Sequence, residues 1–198
     1  LAPGDLLYVP PGLSHYGVAE DDCLTFSFGF RMPNISGMID RISDQFATDE
    51  LLQNPVVDIT RKNPPQIGEI NTEELAYLRD LVLAQLKNST VLDAALMSYM
   101  SEPKYPDNIP EPDEIEVEDL NAILTEGYEL LLEPASRLLY TEQNGVLKFW
   151  GNGEELPIVE SFATQLKTIA DGKSIPFNSE LNNTDILENI VQLLNNSI

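Results

Sequence analysis

The sequence predicts an α+β chain, and three patterns carry that reading. Between residues 23 and 30, Leu24, Phe26, Phe28 and Phe30 alternate with Thr25, Ser27 and Gly29, the two-residue period of a strand with one apolar face. From Ile35 the period changes. Ile35, Met38, Ile39, Ile42 and Phe46 stand at offsets 0, 3, 4, 7 and 11, which is one stripe of a helix. In the last third, short apolar runs are separated by Asn144-Gly145 and Gly151-Asn152-Gly153, turn signals that fold strands back on one another between flanking helices.

Taken in order, a Pro3-Gly4-Asp5 turn leads into a strand at 6–9, Pro10-Pro11-Gly12 turns the chain again, and a second strand occupies 23–30. Two strands alone are marginal in water, so their partners are expected before Leu1 and the chain is expected to be a piece of a longer protein. The first helix starts near Ile35 with Asn34 or Ser36 as its cap. After a Pro-containing loop near 54–70, Asn71 or Thr72 caps a second helix whose stripe is Leu75, Leu78, Val82 and Leu86, and a third helix spans about 90–101. Pro103, Pro106, Pro110 and Pro112 then lie among acidic residues, which predicts an extended boundary over 102–113. Beyond it the pattern predicts a helix at 116–126 ending at Gly127, strands at 128–133, 137–142 and 146–150, and helices at 158–170 and 184–195, the last capped by Asn183 or Thr184. Helices with a hairpin wing suggest a winged-helix fold. Phe149 and Trp150 on that wing are expected in the core.

Composition narrows the function classes. A hydrophobic content of 42% can bury a core, while 33 acidic against 11 basic residues give a net charge of -22 that repels nucleic acid and anionic membranes and suits a basic partner. From Glu111 to Ile198 there are four basic residues, Arg137, Lys148, Lys167 and Lys173, against seventeen acidic ones. Phosphate neutralisation supplies most non-specific DNA affinity, so residues 111–198 are expected to show no salt-sensitive binding to duplex DNA near physiological ionic strength. Micromolar binding in a fluorescence titration that weakens steeply with salt would contradict this. No apolar stretch approaches the roughly 20 residues a membrane helix needs. The single cysteine, Cys23, leaves no internal disulfide or Cys-rich zinc site, which fits a cytoplasmic location.

One stretch carries chemistry. Gly4, Pro10, Gly12 and His15 are spaced as Gly, five residues, Pro, one residue, Gly, two residues, His, which is similar to the second cupin motif. In that motif the glycine enters a strand, the Pro-x-Gly turn reverses it, and the histidine points inward at the mouth of a barrel. His15 is the only histidine of the chain, and Ala19 stands where cupins often carry Asn. With its surroundings, Pro3-Gly4-Asp5-Leu6-Leu7-Tyr8-Val9-Pro10-Pro11-Gly12-Leu13-Ser14-His15 and then Thr25-Phe26-Ser27-Phe28-Gly29-Phe30-Arg31, the motif resembles the bacterial JmjC ribosomal oxygenases. Pro112-Asp113-Glu114-Ile115 and Gly151-Asn152-Gly153-Glu154 are similar to stretches of the same family.

That resemblance implies an organisation and an activity. Residues 1–33 would be the last strands of a truncated double-stranded β-helix (cupin/JmjC), 34–101 a helical dimerisation region, 102–113 a Pro-rich linker and 114–198 a winged-helix-like domain. The full-length parent would use Fe(II), with 2-oxoglutarate as co-substrate, to hydroxylate a side chain, an arginine, of a basic large-subunit ribosomal protein. His15 matches the distal histidine ligand of a site built from two histidines and one carboxylate. Thr25 and Ser27 fall where similar enzymes place side chains near the co-substrate, although the position of Thr25 is often Asn there. No complete catalytic set lies in this chain, so the chain alone is expected to be inactive. A homodimer through residues 34–101 is expected, because the apolar surfaces of these helices exceed what one another can cover. The rival reading is a non-enzymatic interaction and dimerisation module derived from a cupin, with His15 a relic.

Overall fold

A computed structural model describes residues 2–29, 32–48, 55–56, 68–87, 89–124 and 126–198. The chain divides into two units, 1–31 and 32–198. Phe30, Arg31 and most of the loop expected near 54–70 lie outside the described residues.

In the first unit both predicted turns are present. Gly4 (φ +93°) and Gly12 (φ +82°) adopt the left-handed backbone that favours glycine, and the amides of Asp5 and Leu13 donate to the carbonyls of Ala2 (3.0 Å) and Pro10 (3.3 Å). The strands expected at 6–9 and 23–30 do not form among the described residues. A strand exists only through a neighbour's hydrogen bonds, and here Leu6 and Phe28 are more than 80% exposed, with no ladder beside them. Cys23 is exposed as well.

The second unit begins with α1 (Ile35–Ala47), capped by Asn34, whose Oδ1 accepts from the Gly37 amide at 2.8 Å. Of its stripe, Met38, Ile42 and Phe46 are half-buried and Ile35 and Ile39 are exposed, so the helix packs one flank on α3 (Ser89–Ser101) and leaves the other open. In that packing Gly37 lies against Tyr99 of α3. A Cβ there would lie 2.7 Å from Cζ of the buried Tyr99. Alanine gains about 0.5–1 kcal/mol over glycine within a helix, but overpacking a closed site costs about 1–3 kcal/mol. Gly37→Ala is therefore expected to destabilise the chain by about 1 kcal/mol, read as a lower denaturation midpoint; a higher midpoint would mean Tyr99 has room to move.

Between them, α2 (Thr72–Leu86) starts with a capping box in which Asn71 and Glu74 exchange side chain-to-amide bonds of 2.9 and 3.0 Å. Its predicted stripe does not enter the core: Leu75, Leu78 and Val82 are exposed and only Leu86 is half-buried. Periodicity identifies an apolar face without saying what covers it.

The rest folds around a three-stranded antiparallel sheet, β2 (Leu138–Gln143), β3 (Val146–Gly151) and β4 (Glu154–Leu156), in the order β2-β3-β4. Both connections are Asn-Gly turns with positive φ at both residues, 53° and 78° at Asn144-Gly145 and 50° and 95° at Asn152-Gly153, the geometry whose twist suits a tight hairpin. The helix expected at 116–126 is the shorter α4 (Val117–Ile123), and the strand expected at 128–133 shrinks to β1 (Glu129–Leu130). That strand pairs with β5 (Ile175–Pro176), a partner too short to be signalled by periodicity, as is β4. Helices α5 (Glu160–Ala170) and α6 (Thr184–Asn195) fall within two residues of expectation, and Asn183 caps α6 at 2.9 Å.

Phe149, Phe162, Leu166, Phe177 and Ile190 form the centre of one core between the sheet, α4, α5 and α6. Trp150, adjacent to Phe149 and so on the opposite face of β3, is also buried, and α3 packs along β2, β3 and β4. Both aromatics are thus core residues, as expected, and both faces of the wing are covered. Buried Asn189 closes the turn before α5, accepting from the Val159 amide at 2.6 Å and donating to the Pro157 carbonyl at 3.0 Å. The Pro-rich stretch contains a 3-10 turn at Pro106–Asn108 and is tied to the end of the chain: Ser197 Oγ donates to the Pro110 carbonyl (2.8 Å), and Asn195 bonds both backbone groups of Ile115 at 3.0 and 3.1 Å.

Candidate functional site

His15 follows the Pro-x-Gly turn as the motif requires. Its ring lies in solvent, with Nδ1 3.5 Å from the Leu13 carbonyl, a marginal contact. Thr25 and Ser27 are exposed too, and among the described residues no hydrogen bond joins them to His15. The three candidate residues share one unit, and each is exposed.

The donor set can be compared with the iron centre that the resemblance to the JmjC ribosomal oxygenases implies. Among the described residues no group of three or more His, Cys, Asp and Glu side chains converges to hold a metal ion. One imidazole cannot fix an ion that needs three protein ligands on one face of its coordination sphere. The described residues therefore do not by themselves fit that centre, and no chemical step is assigned through it. No described helix is long and apolar enough to cross a membrane.

The second unit's polar side chains are mostly committed to structure. At the seam between α3 and the wing, Ser98 Oγ donates to the Gly153 carbonyl, the Gly153 amide donates to Ser101 Oγ at 3.2 Å, and Arg41 of α1 pairs with Glu102. At the other side of the wing, Tyr140 donates to Asp171 at 3.0 Å and Lys167 pairs with Glu142 at 2.8 Å. The bond to Asp171, then desolvation, holds the Tyr140 phenol above its usual pKa, and the bond to Glu142 holds the Lys167 ammonium up likewise. Neither group is poised for proton transfer near neutrality. Sequence reasoning missed the seam, because Ser98, Ser101 and Gly153 form no motif and meet only through the fold.

A helix-flanked, three-stranded wing following a His-bearing Pro-x-Gly turn defines the class. Residues 71–198 match the ROXA-like winged helix family, and residues 1–38 match the JmjC domain. The chain belongs to the ROXA-like winged helix family. The family match begins at residue 71 and so includes α2 and α3, in keeping with the packing of α3 on the wing.

Among particular proteins, the chain is 37% identical to a probable ribosomal oxygenase of Haemophilus influenzae over 99% of its own length and 51% of the relative's. It is 24% identical to the ribosomal protein uL16 3-hydroxylase of Escherichia coli, covering 98% of this chain and 52% of that one. The chain spans about half the length of the curated relatives it matches. Its fold is that of the Escherichia coli ribosomal oxygenase YcfD, with a TM-score of 0.71 at 19% identity over 85% of this chain and 46% of the other. A structure of YcfD in complex with cobalt and 2-oxoglutarate superposes with a TM-score of 0.70 at 19% identity, over 84% of this chain and 45% of that one.

Proposed function

We propose that this chain is the C-terminal portion of a cytoplasmic Fe(II)- and 2-oxoglutarate-dependent oxygenase that hydroxylates an arginine side chain of a basic large-subunit ribosomal protein. The observation that carries the reading is the spaced Gly4, Pro10, Gly12 and His15 motif inside the segment that matches the JmjC domain. In this reading His15 supplies one iron ligand, and a His-x-Asp pair before Leu1 supplies the other two. An iron ion held by such a set would supply the oxidative chemistry, with 2-oxoglutarate as co-substrate. Thr25 and Ser27 contribute hydroxyls on the small face of the next segment, beside the co-substrate. The acidic balance of the chain favours encounter with a basic substrate. Without the other ligands the 198-residue chain is inactive by itself.

The test is mass spectrometry of large-subunit ribosomal proteins incubated with the full-length protein, Fe(II), 2-oxoglutarate and O2. A gain of one oxygen atom on an arginine is expected. Turnover of 2-oxoglutarate with no modified arginine would remove the residue assignment, and no turnover at all would favour the interaction-module reading.

The same proposal includes a homodimer through 34–101. Ile35 and Ile39 on α1 and Leu75, Leu78 and Val82 on α2 form exposed apolar faces, and a two-fold pairing buries the same surface twice. Light scattering at micromolar concentration is expected to give a dimer mass that falls to a monomer in Ile39→Asp. A monomeric mass for the unaltered chain would show that these faces meet something else.

A further inference from the structure

The chain holds two Asn-Gly pairs, Asn144-Gly145 and Asn152-Gly153, and both form two-residue turns of the wing with positive φ at each position. Asparagine before glycine is the pairing most open to loss of the side-chain amide, because a glycine nitrogen has no Cβ beside it to shield it. With local sequence and turn geometry shared, only the surroundings distinguish the two sites. Asn152 is held. Its Oδ1 accepts from the Arg137 amide at 3.0 Å, its Nδ2 donates to Ser136 Oγ at 3.2 Å, and the Gly153 amide donates to Ser101 Oγ at 3.2 Å. Gly153 is also crowded, since a Cβ there would lie 3.4 Å from Cγ of Glu102. Asn144, by contrast, is exposed, and among the described residues neither its side chain nor the Gly145 amide makes a hydrogen bond. Nothing stands within 4 Å of where a Gly145 Cβ would be.

We infer that Asn144 is a site of spontaneous deamidation and that Asn152, in the same kind of turn, is protected by its hydrogen bonds. Solvent base removes the proton of the Gly145 backbone nitrogen, which attacks Cγ of Asn144. The new N–Cγ bond replaces the Cγ–NH2 bond, and the amine takes up a proton and leaves as ammonia. Water then opens the cyclic imide, at Cγ to give aspartate or at the backbone carbonyl carbon to give isoaspartate, which carries one more atom in the main chain. Water and its acid and base forms are the only co-reactants. Either product sets a new carboxylate near Glu142 at the hairpin tip, and isoaspartate lengthens a turn that closes directly on the Gln143–Val146 pair. At Asn152 the same attack must first break three hydrogen bonds, each slowing it by a factor of roughly 2–10, so the two sites should differ about tenfold or more.

The experiment incubates the 198-residue chain at mildly alkaline pH, folded and, in parallel, unfolded in guanidinium chloride. Trypsin then cuts after Arg137, Lys148 and Lys167, which puts the two asparagines on separate peptides, and fragment mass spectra report amide-to-acid conversion at each. In the folded chain Asn144 is expected to convert about tenfold faster than Asn152 or more, and in guanidinium chloride the two are expected to convert at similar rates. Equal rates in the folded chain overturn the inference. So does a folded chain that keeps both amides while the unfolded one loses both, because the turn itself would then protect each site. A preference for Asn144 that persists undiminished in guanidinium chloride belongs to the flanking sequence and overturns the hydrogen bonds as its cause.

Discussion

His15→Ala in the full-length protein is expected to abolish 2-oxoglutarate turnover, by at least about a hundredfold, through loss of iron and not of fold. The magnitude follows from ligand number: changing the partners that merely orient a metal ligand costs roughly 10–100-fold, and removing the ligand itself costs more. The specificity follows from the structure. His15 is exposed and makes a marginal contact with the Leu13 carbonyl, so the substitution is expected to leave the unfolding free energy of the 198-residue chain within about 0.5 kcal/mol. Iron content measured on the purified variant, beside its turnover and melting curve, separates the two causes. Unchanged turnover would remove His15 from the metal site; lost turnover with full iron would make it a positioning residue.

What the sequence made legible divides along a physical line. Features fixed by a residue's own neighbours were readable: the caps Asn34, Asn71 and Asn183, the Gly4 and Gly12 turns, both Asn-Gly hairpin turns, and the helices expected from about 35, 72, 158 and 184, each within two residues of the observed start. Features fixed by a distant partner were not. The alternation at 23–30 describes a residue set suited to a sheet, yet no strand forms there among the described residues, and Leu75, Leu78 and Val82 have the spacing of a core stripe yet are exposed. The boundary placed at 102–113 rested on prolines. The chain there is extended in part, but Ser98 and Ser101 on one side bond Gly153 on the other, so 32–198 holds together as one unit. The site was legible only as a motif: four spaced residues named His15, while nothing local places Thr25 or Ser27 in relation to it.

The largest effect on folding is expected at Phe162, because it is where the second unit's elements converge. Its side chain is fully buried in the core that gathers α4, α5, α6, the sheet and the β1–β5 pair. Phe162→Ala removes the ring from a site whose neighbours, Leu166 one turn on and Ile190 on α6, are themselves held by their helices and can collapse only partly into the gap. Such truncations cost about 3–5 kcal/mol, a large part of the roughly 5–15 kcal/mol that keeps a domain folded. Chemical denaturation followed by Trp150 fluorescence is expected to show a much lower midpoint at an unchanged slope. Trp150 lies on the face of β3 opposite Phe149, along which α3 packs, so its signal also reports whether α3 stays with the sheet. If 32–198 is one cooperative unit, α3 and the wing melt in the same transition as α5 and α6. A helix signal from α1 and α3 that survives beyond the Trp150 transition would show instead that the serine seam at Gly153 is too weak to couple them.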